Sequence, residues 1–185
     1  MRAFIGLPAS SKIRVRWAAL LPRIKALGVK ASWVAPENLH LTLKFLGDVQ
    51  EVRLAEIRVA MEASAAVLQP TALDSQGIGF FPDQRRPRVL YVKYSRHAGL
   101  LSCQSDLEER LEALDFPREY RPFEVHLTLA RLKFPWPPEA LRKAVDLLSA
   151  EPWPELPVHS MVLYESTLTP QGPIYNPIHS AGGKA

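Results

Sequence analysis

The sequence of 185 residues contains a single cysteine, Cys103. One thiol excludes an intrachain disulfide, and it excludes a Cys/His zinc cluster because structural zinc sites need more thiolates. No apolar run approaches the roughly 20 residues of a membrane span. The N-terminal segment also lacks the long apolar region of a signal peptide. These features predict a cytoplasmic protein with no membrane segment.

Charge and length set broader limits. There are 23 Lys and Arg residues against 19 Asp and Glu, a net charge of +4, and 47% of the residues are hydrophobic. This mild basic excess is compatible with a phosphate-bearing partner, although an ordinary basic surface explains it equally well. The length suits one domain with a buried core. We expect residues 1–185 to form a single bilobal domain, and we expect a monomer.

The tetrapeptide His-Leu-Thr-Leu occurs twice, each time four residues after a proline. The two copies are "PENLHLTLKF" from Pro36 and "PFEVHLTLAR" from Pro122, and their histidines, His40 and His126, lie 86 residues apart. The same offset carries "RAFIGL" onto "RVLYVK" and superimposes the helical patterns that follow each strand and each motif. A repeated tetrapeptide can arise by chance, whereas a consistent register over several elements indicates two intertwined repeats.

The hydrophobic patterns predict an α+β fold. Four segments place apolar residues at the 3.6-residue period of helices, and short alternating segments between them are typical of strands. The predicted order is strand, helix, strand, strand, helix, strand, and then the same again. We therefore expect two lobes related by a pseudo-two-fold axis, each an antiparallel sheet backed by helices, around a central cleft.

The repeated motif places polar side chains on one face of each strand. Strand alternation predicts that His40, Thr42 and Lys44 point into the cleft, opposite His126 and Thr128. Two imidazoles near their unperturbed pKa of about 6.5 suit general acid–base catalysis. Threonine hydroxyls can bind phosphate oxygens, and Lys44 or Arg131 can offset negative charge. Arg131 lies an odd number of residues after His126, so alternation points it to the opposite face of the strand. It reaches the cleft only if the strand twists or bulges.

Two other interpretations compete with catalysis. A single strand histidine is usually a surface or core residue, but duplication in register favours a functional pair. A two-histidine metal site is less favoured, because carboxylates at ligand spacing are lacking near either motif. We therefore expect neither a metal ion nor another cofactor.

At these residues the sequence resembles the two-histidine (2H) phosphoesterase superfamily, which is defined by two His-x-Thr motifs. Within it, the chain is similar to the bacterial and archaeal RNA 2′,3′-cyclic phosphodiesterases, historically called 2′-5′ RNA ligases. The resemblance rests on "RAFIGLP", "PENLHLTLKFLG", "RPFEVHLTLARL" and "LYESTLTPQGPIYNPI" and covers essentially the whole chain. It implies a bilobal LigT-like fold without a cofactor.

The resemblance also implies a reaction, the hydrolysis of an RNA-terminal 2′,3′-cyclic phosphate to a 2′-phosphate. It implies that His126 is the general base on water and His40 the general acid on the leaving oxygen, with Thr42, Thr128 and Arg131 on the phosphate. The substrates it implies are RNA ends, such as tRNA halves, or small cyclic nucleotides. Alternatives are 2′-5′ ligation by the same site, a small-nucleotide phosphodiesterase, and a non-enzymatic RNA-binding protein.

Further residues are candidates for contacts with RNA. Aromatic side chains can stack on a base and arginines can guide a phosphate backbone, although each also has an ordinary structural explanation. The aromatic candidates are Phe4, Phe81, Tyr91 and Tyr175. The basic candidates are Arg85, Arg86 and Arg88.

Overall fold

A computed structural model describes residues 1–170 and 172–183. The strands are β1 (Arg2–Pro8), β2 (Ser32–Trp33), β3 (His40–Asp48), β4 (Thr71–Leu73), β5 (Ser75–Phe81), β6 (Val89–Tyr94), β7 (His126–Arg131), β8 (Leu156–Val158), β9 (Ser160–Thr169) and β10 (Gly172–Gly182). The helices are α1 (Ser11–Lys25), α2 (Leu54–Ala65), α3 (Ala98–Glu112) and α4 (Pro138–Ser149). None of these helices is long and apolar enough to span a bilayer.

The strands form two four-stranded antiparallel sheets and a two-stranded ribbon. The first sheet has the order β10-β9-β1-β3, the second has the order β2-β7-β6-β5, and β4 pairs with β8. Strand β9 follows the second motif in the chain but pairs with β1, while β5 follows the first motif and pairs with β6. Each sheet therefore takes strands from both halves of the chain, and the predicted α+β, pseudo-two-fold fold class is confirmed.

Helices cover the outer face of each sheet. Helix α2 packs on α3 and contacts β9 and β10, while α1 packs on α4, which contacts β5. Trp17 of α1 donates its indole N–H to the carbonyl of Val34 at 2.8 Å, and its ring lies 6.2 Å from that of Trp33. Because the apolar faces of the helices fill the space behind the sheets, the motif strands keep only their opposite faces free for a site.

The repeat is regular except at its first strand. His40 pairs with Pro8, whereas His126 pairs with Lys93. The β1 and β6 residues that pair with the motif histidines are thus 85 residues apart in the chain, whereas the histidines themselves are 86 apart. This one-residue difference places Gly6 opposite Thr42 in one sheet and Tyr91 opposite Thr128 in the other.

Candidate active site

The two motif strands meet where the sheets face each other. Strands β3 and β7 are in contact, and a cleft of about 750 Å³ opens beside them. Thr42, His126, Thr128 and Arg131 all line this cleft. His40 lies two residues before Thr42 on the same strand and lines a neighbouring cavity of about 230 Å³. The structure therefore places Thr42, His126, Thr128 and Arg131 on one cleft and His40 on the smaller cavity, close enough to His126 and Arg131 for their charges to lower its pKa.

Both histidines are held in the same way. His40 Nδ1 lies 2.7 Å from the carbonyl oxygen of Asn38, and His126 Nδ1 lies 2.8 Å from that of Glu124. A carbonyl oxygen only accepts hydrogen bonds, so in each ring Nδ1 carries the proton and donates it. Nε2 is then the free nitrogen, able to accept a proton from water or to deliver one to a leaving oxygen.

The environment makes both rings less basic than a free histidine. The pKa of His40 is lowered to about 4, chiefly by burial and also by the charges of His126 and Arg131, while the hydrogen bond to the Asn38 carbonyl opposes the shift. Burial also lowers the pKa of His126, but the Glu124 carbonyl and the negative charge of its carboxylate oppose that shift. The two imidazoles therefore lie in different electrostatic environments.

A bulge interrupts each motif strand at equivalent positions. Thr42 and Lys44 pair with consecutive residues of β1, which leaves Leu43 as the extra residue. Thr128 and Ala130 pair with consecutive residues of β6, which leaves Leu129 as the extra residue. A bulge of this kind reverses the facing of the side chains that follow it.

The bulge explains how Arg131 reaches the site. Past Leu129 the strand turns Ala130 toward the helices, where it is fully buried, and turns Arg131 into the cleft. In the first copy the same reversal buries Lys44 and exposes Phe45, which is 63% accessible and lines the cleft. Simple alternation predicts the reverse for Lys44 and Phe45, so it is correct only as far as the bulge.

Lys44 borders the cleft but is already paired. Its ammonium lies 2.5 Å from Glu108 Oε2 and 2.5 Å from the carbonyl oxygen of Pro117, and the residue is only 4% exposed. A buried and neutralised ammonium has no free charge to offer a substrate. Lys44 therefore has no charge to offer a phosphate, which runs against the expectation from strand alternation.

Aromatic rings contact both histidines. The ring of His40 lies 4.6 Å from Phe4 and 5.2 Å from Tyr175, and the ring of His126 lies 4.9 Å from Phe81 and 5.2 Å from Tyr91. These are the four aromatic candidates for base stacking. Their contacts give them an immediate role in excluding water from the imidazoles, which accounts for the burial that lowers both pKa values.

Gly6 allows the His40 ring to lie where it does. A Cβ atom at Gly6 would come within 2.9 Å of the Leu41 carbonyl oxygen and 3.3 Å of His40 Cδ2. The sequence offered no sign of this role, because the register that brings Gly6 to Thr42 is set by strand pairing. Asn38, Glu124 and Phe45 were missed as well, although applying the repeat offset two residues before each histidine would have singled out the first two.

The basic candidates divide into two groups. Arg88 lines the cleft, whereas the backbone N–H groups of Arg85 and Arg86 bind the Asp83 carboxylate in an exposed turn. Within residues 1–170 and 172–183, no three His, Cys, Asp or Glu side chains converge as metal ligands would. The charges available to a bound phosphate are accordingly arginines and imidazoles.

The chain is similar to known proteins over almost its whole length. The sequence model of the family described as LigT like Phosphoesterase matches residues 7–91 and 93–175, two segments that begin 86 residues apart. A curated RNA 2′,3′-cyclic phosphodiesterase of Archaeoglobus fulgidus is 36% identical over 95% of this chain and 96% of its own length. One of Methanocaldococcus jannaschii is 33% identical over 96% of this chain and 98% of its own.

Solved structures give the same result. A crystal structure of a protein from Thermus thermophilus superimposes with a TM-score of 0.77 at 30% identity, covering 98% of this chain and 97% of that one. Escherichia coli LigT crystallised with 3′-AMP has the same fold, with a TM-score of 0.73 at 22% identity and 98% and 97% coverage. With two in-register His-x-Thr strands, a shared fold and a family match over most of its length, the chain belongs to the LigT-like phosphoesterase family.

Proposed function

We propose that the protein is an RNA 2′,3′-cyclic phosphodiesterase that opens a terminal cyclic phosphate to a 2′-phosphate. The observation that carries this proposal is the pair of imidazoles, each held by its Nδ1–H on the carbonyl two residues earlier. Such a pair leaves a free proton-transfer nitrogen on each ring, with His126 in the cleft and His40 in the smaller cavity. The curated relatives with full-length similarity are named for this activity.

In the proposed reaction, His126 Nε2 takes a proton from a water molecule as the water oxygen attacks phosphorus. The bond from phosphorus to the ribose 3′-oxygen breaks, and His40 delivers a proton to that oxygen, so the product carries a 2′-phosphate. The resemblance to the cyclic phosphodiesterases supplies this order of roles. Burial lowers the pKa of both rings, so His40 must take up a proton before it can act as the acid, and the bound phosphate anion favours that protonated form.

The remaining groups bind the phosphate and its nucleoside. Thr42 and Thr128 supply hydroxyl donors on either side of the reacting phosphorus, and Arg131 supplies a guanidinium that can contact two oxygens at once. Phe45 offers an exposed aromatic face within the cleft on which a base can stack. The proposal takes an RNA end as the partner, a monomer as the working unit and the cytoplasm as the compartment.

The experiment is incubation with an RNA oligomer that ends in a 2′,3′-cyclic phosphate, followed by identification of the product. A 2′-phosphate end supports the proposal. A 3′-phosphate end assigns the leaving group to the 2′-oxygen and reverses the geometry. Joined strands with a 2′-5′ bond point to ligation, and binding without any product points to an RNA-binding protein.

A further inference from the structure

A buried ion pair lies at the edge of the cleft and takes no part in the proposed chemistry. Lys44 and Glu108 are each 4% exposed, and their charged atoms lie 2.5 Å apart. Lys44 comes from β3, beyond the bulge, and Glu108 comes from α3. Placing two charges in the interior costs desolvation energy, and well-packed apolar side chains are often as stabilising as such a pair. Stability alone therefore does not account for it.

The pair also holds a third segment of the chain. We call residues 117–124, which connect α3 to β7 without helix or strand, the cleft loop. Lys44 Nζ donates to the carbonyl oxygen of Pro117 at 2.5 Å, and Glu108 Oε2 accepts the backbone N–H of Glu119 at 3.3 Å. Gln104 donates to the other carboxylate oxygen of Glu108 at 3.3 Å. The start of the cleft loop is thus fixed to both β3 and α3.

The cleft loop forms one wall of the active site. Arg118, Arg121 and Phe123 line the cleft that also holds His126 and Arg131. The loop ends at Glu124, whose carbonyl oxygen accepts the Nδ1–H of His126. Near that end, Arg96 donates to the carbonyl oxygen of Phe123 at 3.1 Å. Hydrogen bonds therefore hold both ends of the cleft loop, and those made by the Lys44–Glu108 pair come from buried side chains.

A cyclic mononucleotide and an RNA strand differ in what this wall can contact. A 2′,3′-cyclic mononucleotide carries one phosphate, which belongs between the histidines, whereas an RNA strand adds one phosphate for every further nucleotide. Neither Arg88 nor Arg121 forms an ion pair with another described residue, and Arg118 shares its guanidinium with the exposed Glu112 at 3.4 Å. Guanidiniums available in this way can bind further phosphates of the strand.

We propose that the Lys44–Glu108 pair is a positioning device that holds the cleft loop so that Arg118 and Arg121 grip the RNA strand next to the reacting phosphate. This inference rests on the proposed function for its substrate. It assigns to a buried pair the discrimination between an RNA end and a free cyclic nucleotide, while proton transfer remains with the histidines.

The test uses the double variant Lys44→Met/Glu108→Leu, which removes both charges and keeps similar volumes. With an RNA oligomer, KM should rise about tenfold or more, as for the loss of one or two charge-assisted contacts, and kcat should fall less than about threefold. With a 2′,3′-cyclic mononucleotide, KM should change less than about threefold. The dependence of KM on salt concentration should also weaken for the oligomer.

A second measurement detects release of the cleft loop by its cleavage with a protease, and it needs no substrate. Trypsin should cut the double variant after Arg118 faster than it cuts the wild type, because the freed loop can enter the protease. Ser64→Ala is the matched control, since Ser64 is another buried polar residue, bonded to Asp106 of α3, that does not touch the cleft loop. Ser64→Ala should change neither KM nor loop cleavage.

The outcomes separate the two proposals. Unchanged loop cleavage, or an equal loss of kcat on both substrates, overturns the positioning role. A wild-type protein that hydrolyses no cyclic phosphate overturns the proposed function, while loop cleavage still tests the anchoring. If the double variant does not fold, Lys44→Met/Glu108→Gln replaces it, because it leaves no unpaired charge in the interior and the amide keeps the shape of the Glu108 side chain. The same rise of KM and of loop cleavage is expected.

Discussion

The two copies of the motif, residues 38–45 and 124–131, share their backbone and differ in their chemistry. Each holds its histidine on a carbonyl two residues earlier, and each has a bulge immediately after its threonine, at Leu43 and Leu129. After the bulge, the first copy turns Phe45 into the cleft and the second turns Arg131 into it. Duplication thus fixes the geometry of the site, and divergence gives one half an aromatic surface and the other a charge.

The largest expected effect comes from removing what the copies share. His40→Ala and His126→Ala should each reduce turnover by roughly 10²–10⁴-fold, the usual contribution of a positioned acid or base. The double variant should lose little more than the worse single variant, since one partner gains little without the other. Turnover on an RNA cyclic phosphate measures all three, with His159→Ala as a control at a histidine outside the cleft. Near-normal turnover in either single variant would remove that residue from the mechanism.

The next largest effect comes from the position at which the copies differ. Arg131→Ala should lower turnover by about 10²-fold, as expected for losing one preorganised stabiliser of the transition state. Arg131→Lys should recover only part of the loss, because an ammonium does not reproduce a bidentate contact. Phe45→Ala should instead raise KM and spare kcat. Arg142→Ala, an exposed arginine on α4, is the control. An active and stable Arg131→Ala protein would contradict the assignment.

The same comparison shows how far the sequence could be read. The histidines and threonines could be predicted because the repeat places them in register, and alternation up to the bulge needs only the two-residue period of a strand. Beyond Leu43, strand alternation places Lys44 on the cleft side and Phe45 on the helix side, which is the reverse of the structure. Alternation fails there because a bulge leaves no local pattern in the sequence. The partner of Lys44 lies 64 residues away, on α3, and strand β4 is too short for any periodicity to show. These features depend on packing between distant segments.

A smaller effect is expected where the first copy has a glycine and the second a tyrosine. Gly6→Ala adds a Cβ atom against the Leu41 carbonyl and the His40 ring, so His40 must shift. Turnover should fall about tenfold, because small displacements of a catalytic group are costly. In Gly183→Ala the added Cβ would meet only the His159 carbonyl oxygen, at 3.8 Å, so activity should be unchanged. Full activity of a well-folded Gly6→Ala protein would show that the His40 ring accommodates the added Cβ atom without leaving its active position.

The pH dependence tests the electrostatic difference between the copies. Because the pKa of His40 is lowered to about 4 and that of His126 is also lowered from 6.5, both limbs of the kcat/KM profile should lie below pH 6.5. Glu124 raises the pKa of His126, so Glu124→Gln should move the alkaline limb to lower pH. A profile centred above pH 7, or an unmoved limb in Glu124→Gln, would contradict this account.

The smallest expected effect is that of a chelator, and it separates two uses of a histidine pair. As metal ligands the two rings would serve the same purpose, and each would need further ligands that the described residues do not bring to it. As acid and base they need no further ligand, only a free Nε2 atom on each ring, which the Nδ1 hydrogen bonds leave available. Turnover should therefore be unchanged in excess EDTA, measured on the same RNA oligomer before and after dialysis. Loss of activity that a divalent ion restores would make the histidines ligands, and the inequivalence of the two copies would then need another explanation.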